Sequence, residues 1–346
     1  MRRDQVVICI LMTLVSLSHV YAQPPPTGTS NGTVVDQQPC APVTGTYERY
    51  VDAAKKGYTT EYEAARRQNV PMQPVERFVQ SLYTREELEK RQAHQGFECV
   101  RVTYLSDGLK VMGHIYKPQA TNRKHYPLII FNRGGNREFG KNTPRRIVGL
   151  YEFLAHGFVV LASQYRGNDG GEGKEELGGA DMNDVLHLFP LAQSLGYIDM
   201  QNIFMYGVSR GGMPTYIALK HGASVNAAAI VGGVTDLQAW AEWRPQILQE
   251  YQDLIPDYVR HADDQLRQRS VIYWVEQINV PLLILHGGAD WRVPPSQALT
   301  LAQRLQAGGK VYELIIYAHD DHGLSFHQEE KNQKIVQWFR AHMKAR

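Results

Sequence analysis

Gly207-Val208-Ser209-Arg210-Gly211 lies between an apolar run, Ile203-Phe204-Met205-Tyr206, and a segment of helical character. The spacing G-x-S-x-G in strand–turn–helix context is that of a nucleophile elbow. In so sharp a turn the serine takes strained backbone angles and its hydroxyl projects from the sheet. Glycine is needed two residues before and after it, because side chains there would collide. A serine hydroxyl is a poor nucleophile at neutral pH. It needs a base within hydrogen-bond reach and a group that orients the base. In α/β-hydrolases these follow in the order Ser, Asp or Glu, His. Here Leu283-Ile284-Leu285 runs into His286-Gly287-Gly288-Ala289-Asp290, and Tyr312–Tyr317 runs into Ala318-His319-Asp320-Asp321-His322-Gly323. The order fits Ser209 as nucleophile, Asp290 as orienter and His322 as base, the chemistry of a serine hydrolase.

Rivals exist for each role. His319 is the other candidate base, but it sits nearer the strand end, where packing would hold it, and His322-Gly323 is freer to turn. Asp320 and Asp321 compete with Asp290 and read instead as a solvated turn. Asp181 and Asp184 fall near a helix start, where carboxylates meet the helix dipole favourably, and are assigned no chemistry. The oxyanion of a tetrahedral intermediate needs donors, and the backbone N–H of Arg210 is the first. The second is expected from Asn132-Arg133-Gly134-Gly135-Asn136, where paired glycines let the backbone approach substrate; Gly135 is the choice, with Asn136 behind it.

The elements that must position these residues are legible from Phe97 onward. Phe97–Ser106 and Lys110–Lys117 flank Asp107-Gly108, a hairpin signal. Apolar strands follow at Pro127–Phe131, Phe158–Ser163, Ile203–Tyr206, Ala227–Gly232, Leu282–Leu285 and Tyr312–Tyr317. Helical stretches lie between them around Arg145–His156, Asp181–Ser194, Met213–His221, Ser296–Gln306 and Glu330–Lys344. This pattern predicts an α/β fold: a mostly parallel sheet of about eight strands with helices on both faces. Ligands in such sheets bind beyond the carboxyl ends of the strands, where every candidate above falls.

The N-terminal side divides differently. Arg2 and Arg3, the apolar stretch Val6–Leu17 and the small-residue site Val20-Tyr21-Ala22 read as a signal peptide over residues 1–22. A dozen apolar residues are too few to span a bilayer of ~30 Å, so no stable membrane insertion is expected once the leader is removed. Residues 23–46, rich in Pro, Gly, Thr and Ser, read as a low-complexity linker, and Asn31-Gly32-Thr33 matches a glycosylation acceptor. Residues 47–96 are polar and helical in character, with Thr84-Arg85-Glu86-Glu87 as a helix start. They are expected to pack as a helical extension against the domain of residues 97–346.

The chain of 346 residues carries 37 basic and 35 acidic side chains; loss of Arg2, Arg3 and Asp4 leaves 35 and 34. That balance, without a basic stripe, excludes a nucleic-acid partner. Of the three cysteines Cys9 leaves with the leader, and Cys40 and Cys99 are either one disulfide or two unrelated thiols.

From Phe97 to the C-terminus the chain resembles the catalytic domain of the prolyl oligopeptidase (S9) family of serine peptidases. The resemblance rests on Arg133-Gly134-Gly135, Tyr165-Arg166-Gly167, Gly207-Val208-Ser209-Arg210-Gly211-Gly212, His286-Gly287-Gly288-Ala289-Asp290 with Val293-Pro294 and Gln297, and His322-Gly323. It implies an α/β-hydrolase fold, Ser209, Asp290 and His322 as triad, and hydrolysis through an acyl-enzyme with no cofactor and no metal. Two departures stand out. Roughly 75 residues between leader and Phe97 cannot make the β-propeller of the family's larger members, which takes at least four four-stranded blades. Arg133 stands where the family often has histidine before the paired glycines.

The expected substrate is accordingly a small peptide or an ester, and stand-alone domains of this shape also serve as esterases. A non-catalytic binding protein is the reading from another class, and the presence of all three triad residues argues against it. The leader implies a secreted or periplasmic location. Trp240, Trp243, Tyr251, Tyr258 and Trp274 are expected mainly in the core, with some available to wall an acyl pocket. Glu172, Glu175 and Glu176 read as a solvated charged turn, with capture of a substrate amine as the other reading. Oligomeric state is left open.

Overall fold

Short runs that are apolar at every position cannot face water on either side, and four such runs form the centre of the sheet. The computed structural model describes residues 30–93, 96–119 and 124–345. The expected leader, and the linker before residue 30, lie outside the described residues. The central strands are β4 (Tyr126–Asn132), β5 (Val159–Ser163), β7 (Ala227–Val231) and β8 (Leu282–Gly287), each buried throughout. β6 (Ile198–Val208) joins them over its second half. Strands covered on both faces in this way belong to a parallel sheet.

Among the described residues nine strands form one sheet in the order β1-β2-β3-β5-β4-β6-β7-β8-β9. β2 (Phe97–Ser106) and β3 (Leu109–Pro118) make the expected hairpin, and β3 pairs antiparallel with β5. From β5 onward all pairings are parallel, ending at β9 (Tyr312–Tyr317). The chain passes from β4 outward to β5 and then back across β4 to β6. Strand order reverses there, and the loops leaving β4 and β6 flank the resulting crevice.

The ninth strand corrects the linker reading. β1 (Val34–Pro39) pairs antiparallel with β2 inside the segment expected to lack structure. Its sequence, VVDQQP, offers no buried face, and it needs none. An edge strand is held by backbone hydrogen bonds to one neighbour, and polar residues with a terminal proline suit an edge. Two further ties fix it: Gly32 N–H donates to the Leu105 carbonyl at 2.8 Å, and Cys40 is disulfide-bonded to Cys99 with Cα atoms 5.3 Å apart. Asn31 of the glycosylation motif is itself engaged, its Oδ1 accepting from Asp107 N–H at 2.9 Å.

The helical extension comprises α1 (Tyr47–Arg67), α2 (Val75–Gln80) and α3 (Arg85–Gln92). Thr46 and Thr84 cap α1 and α3, each hydroxyl accepting a main-chain N–H from three residues on. Between the later strands run α4 (Arg146–Ala155), α5 (Met182–Leu186), α6 (Leu188–Ser194), α7 (Gly212–Lys220), α8 (Leu237–Trp243), α9 (Ile247–Leu254), α10 (Tyr258–Arg269), α11 (Ser296–Ala307) and α12 (Gln328–Ala341). The stretch expected as one helix over Asp181–Ser194 is therefore two. One apolar cluster around Leu128, Met205, Ile230 and Ile284 covers one sheet face, and another around Ile129, Phe204, Ala229 and Phe339 covers the other. This is the α/β-hydrolase arrangement. Among the described residues no helix is long and apolar enough to cross a membrane.

Candidate active site

β6 delivers the chain into Ser209, whose φ is +58°, and α7 begins three residues later after a single tight turn. A left-handed serine is strained, and the surroundings leave it no alternative. A β-carbon on Gly207 would stand 2.5 Å from both the Gly211 carbonyl oxygen and Thr215 Oγ1. One on Gly211 would collide with the Asn132 carbonyl at the end of β4. The two glycines of the motif thus answer to different neighbours, one to the turn itself and one to the adjacent strand.

Asp290 leaves the end of β8 fully buried. Its Oδ1 accepts the N–H groups of Arg292 and Val293, each at 2.9 Å. Its Oδ2 accepts from His322 Nδ1 at 2.7 Å, and His286 Nε2 lies 3.2 Å away while also meeting the Val293 carbonyl. Burial alone would raise this carboxyl, but the His322 and His286 rings more than offset it and hold the group well below the usual range. His322 rests on Gly232 at the end of β7, where a β-carbon would come 3.1 Å from Nδ1. A β-carbon on Gly287 would strike the Asp321 carbonyl, so the Asp290 and His322 loops pack main chain against main chain. His322 is thereby brought to Asp290. Ser209 Oγ makes no hydrogen bond among the described residues, so the structure joins His322 to Asp290 and leaves His322 Nε2 without a bond to Ser209.

The rivals sort out differently from expectation. His319 is exposed at φ +61° and is not held in packing. Asp320 and Asp321 are buried, so the solvated-turn reading fails for both. Asp320 accepts from Asp321 N–H, Phe326 N–H and His327 Nδ1, while Asp321 Oδ1 accepts from Gly323 and Ser325 N–H. Two adjacent carboxylates inside a tight loop can satisfy its otherwise unpaired N–H groups, and they brace the segment that presents His322.

The loop after β4 abuts Ser209. A β-carbon on Gly134 would lie 2.9 Å from Ser209 Cβ and 3.4 Å from Oγ, and Gly135 follows at φ +69°. Arg133 is fully buried beneath this loop. It donates to the carbonyls of Gly134 (3.2 Å), Phe139 (3.1 Å), Arg137 (2.9 Å) and Gln164 (2.8 Å). The arginine that stands where the family often has histidine thus spans four carbonyls, more than an imidazole's two nitrogens can reach.

Glu175 and Asp181 form the second correction. Neither is solvated nor caps a helix through its side chain; both are buried against the Arg210 guanidinium, which also donates to the Gly135 carbonyl at 2.7 Å. Glu175 further accepts from Arg137 N–H and Asn168 Nδ2, each at 2.8 Å. Burial pushes Asp181 up to about 6 against the pull of Arg210. Both guanidiniums, Arg133 and Arg210, lie within 5.0 Å of the Tyr165 ring centroid. One polar assembly therefore ties the residue after Ser209 to the loop expected to supply the second oxyanion donor. Asp184 is likewise buried, bound to Arg166 at 2.8 Å.

A cleft of about 440 Å³ opens from Ser209 and Gly135, with Phe139, Trp240 and Ile247 as apolar wall and Arg137, Arg244, Glu250 and Arg292 among its polar lining. Of the five aromatics marked in the sequence, only Trp240 lines it. A smaller hollow of about 160 Å³ shares Arg292 and reaches His322, with Glu61 and Met72 of the extension on its rim. Tyr58 and Phe78 stack at 4.0 Å and pack with Phe326, Ala289 and Trp291, so the extension sits on the two loops that carry Asp290 and His322. Glu61 accepts from Trp291 Nε1 at 2.9 Å and pairs with Arg292. Glu61, Arg244 and His286 were given no role at the site, and Glu175 was weighed only as a solvated turn or an amine binder. Of these only His286 carried a local signal, four residues before Asp290 on the same motif. Among the described residues no group of three or more His, Cys, Asp or Glu is arranged to hold a metal ion.

Comparison with known proteins finds relatives of this chain by sequence and by fold. An uncharacterized peptidase of Bacillus subtilis, YtmA, is 30% identical over 263 residues, covering 75% of this chain and 99% of that protein. The solved acylaminoacyl peptidase of Pyrococcus horikoshii superposes with a TM-score of 0.63 at 20% identity, over 72% of this chain and 42% of that one. An acetyl xylan esterase from Paenibacillus sp. R4 superposes at 0.56 and 17% identity, over 72% and 85%. The chain thus spans YtmA almost entirely but less than half of the Pyrococcus enzyme, and at these identities the two solved structures show the shared fold alone. Residues 149–346 match the model of the prolyl oligopeptidase family, peptidase family S9, and the chain belongs to that family.

Proposed function

We propose that this protein is a serine hydrolase that cleaves a peptide acyl bond through an acyl-enzyme on Ser209. Ser209 Oγ attacks the acyl carbon while His322 Nε2 takes its proton. The carbonyl oxygen becomes an oxyanion that accepts from the N–H groups of Gly135 and Arg210. Collapse expels the leaving amine with the proton from His322. Water then repeats the sequence, releasing the acid and restoring the serine. Asp290 holds the imidazole and stabilises the imidazolium formed in each half. The observation that carries this reading is the His322 Nδ1 to Asp290 Oδ2 bond of 2.7 Å, taken together with a strained serine at φ +58°.

Ester hydrolysis is the second reading, favoured by the fold likeness to an acetyl xylan esterase. Family membership and the likeness to an acylaminoacyl peptidase favour the peptide. A fluorophosphonate probe should label the wild type and spare Ser209→Ala; equal labelling of both removes Ser209 from the mechanism. Rates on 4-nitrophenyl acetate and on a panel of acyl-aminoacyl anilides separate the two, and turnover of esters alone defeats the peptidase reading.

The protein is proposed to be exported, with residues 1–22 removed. The Cys40–Cys99 disulfide supports an oxidising compartment. N-terminal sequencing of exported protein should begin at Gln23; recovery of the chain with residues 1–22 intact counts against export by this route.

A further inference from the structure

We infer that the cleft beside Ser209 selects acyl groups that carry a carboxylate, which the guanidinium of Arg244 receives. The inference rests on the reading of Ser209 as nucleophile and goes beyond it by naming the substrate class.

Four arginines line the cleft against the single acid Glu250, and three of them are already matched. Arg210 is held between Glu175 and Asp181, Arg292 is paired with Glu61, and Arg137 meets Asp253 at 2.7 Å and Glu250 at 3.6 Å. Arg244 makes no ion pair and no side-chain hydrogen bond among the described residues; its one contact of note is the Trp291 ring, 5.3 Å from centroid to guanidinium carbon. Arg292 lies over the same ring at 5.4 Å, so two cations share one aromatic face-pair.

That arrangement is costly as it stands. Half-burial lowers the pKa of Arg244, and repulsion from Arg292 lowers it further. The nearby carboxylates of Glu61 and Asp290 are committed elsewhere, to Arg292 and Trp291 in the first case and to His322 and two N–H groups in the second. A guanidinium in a concave, partly desolvated wall is the strongest carboxylate receptor that side chains offer, because two parallel N–H donors match two oxygens. About 440 Å³ between Ser209 and this wall accommodates a short acyl chain ending in an acid, with its methylenes against Phe139, Trp240 and Ile247. The acid can come from an acidic side chain of an N-acylated residue or from a dicarboxylic acyl group.

Two pairs of substrates distinguish these sources: the isosteric N-acetyl-L-glutamyl and N-acetyl-L-glutaminyl 4-nitroanilides, and mono-4-nitrophenyl adipate against 4-nitrophenyl hexanoate of the same carbon number. In at least one pair the wild type should favour the anionic member by ~10-fold or more in kcat/KM, in line with a charge-assisted hydrogen bond. Arg244→Gln should bring that ratio near one, Arg244→Lys should keep part of it, and Arg244→Glu should invert it. Preference for the neutral member in both pairs, or a ratio that Arg244→Gln leaves within twofold, overturns the inference. Calorimetric titration of Ser209→Ala with N-acetyl-L-glutamate and N-acetyl-L-glutamine reads the subsite without turnover. Tighter binding of the glutamate, lost in Ser209→Ala/Arg244→Gln, with no hydrolysis of any substrate by the wild type, would sink the nucleophile and keep the anion subsite. Hydrolysis of all four substrates with equal ratios in wild type and Arg244→Gln would do the reverse.

Discussion

Gly134 faces Ser209 so closely that a methyl group in place of its hydrogen would stand 2.9 Å from Ser209 Cβ and 2.9 Å from the Val208 carbonyl oxygen. Real β-carbons do not approach backbone to that distance, so the loop after β4 must withdraw if the glycine is replaced. Gly135, the expected oxyanion donor, moves with it. Gly134→Ala should lower kcat by roughly 10²–10³-fold, as for loss of an oxyanion donor. Stability should fall by only about 1–3 kcal/mol, the cost of overpacking. Steady-state kinetics with a thermal melt of the same sample separates the two. Full activity in Gly134→Ala would mean that this loop does not stabilise the oxyanion.

Glu175 joins two parts of the site that the chain order keeps apart, through Arg210 on one side and Arg137 N–H on the other. Glu175→Gln leaves the buried Arg210 with Asp181 as its one carboxylate partner. Removing one partner of a buried pair costs about 3–5 kcal/mol, and the remaining carboxylate retains part of that. The expected outcome is a loss of about 2–4 kcal/mol in chemical denaturation, with kcat reduced more than KM changed, because the Arg210 guanidinium, held by Glu175, Asp181 and the Gly135 carbonyl, positions the two N–H donors. An unchanged kcat in a folded Glu175→Gln variant would make the assembly structural only.

Asp290 sets an acid limb. Its carboxyl is held below the usual range in the folded protein, so the unfolded chain takes up a proton first as pH falls. Its contribution is therefore complete above about pH 4 and is lost below it, at up to about 1.4 kcal/mol per pH unit. Asp290→Asn lacks this term, so the stability difference between wild type and variant should narrow from pH 4 to pH 2. Urea titrations at pH 2.5, 3.5 and 6 measure it, and parallel curves would show that Asp290 is not favoured as the anion in the fold. At pH 7 the same variant should lose activity by roughly 10⁴-fold, as expected when the orienting acid is neutralised.

What the sequence disclosed and withheld follows from the range of the interactions. The elbow was legible because its glycines, serine and flanking strand are contiguous, and so were the buried strands, whose apolar runs have no other use. β1 was not: VVDQQP has the composition of a linker, and only its partner β2 makes it a strand. Glu175, Asp320 and Asp321 were read as wet because acids usually are, and Asp181 as a carboxylate at a helix start. Their burial depends on guanidiniums and N–H groups that the fold brings to them, Arg210 from 35 residues away in the case of Glu175. Arg133 was noticed as a departure, but its grip on four carbonyls belongs to loop geometry. The placement of the extension over the Asp290 and His322 loops required Glu61 to meet Arg292, a contact spanning 231 residues.

That last contact makes the extension part of the site. Glu61 on α1 holds the two residues that follow Asp290, and Asp290 in turn receives the N–H of Arg292. Glu61→Ala should therefore loosen the acid's loop and let α1 lift from Trp291. The pair is only partly buried, so the stability loss should be modest, about 1–2 kcal/mol. The kinetic effect should be larger, a fall in kcat of roughly 10-fold from misplacement of the relay. Glu61→Gln should recover part of it, since an amide oxygen still accepts from Trp291 Nε1. Limited proteolysis should cut within residues 47–93 faster in Glu61→Ala than in wild type. If kcat and cleavage rate are both unchanged, α1 merely rests on the domain and the relay stands without it.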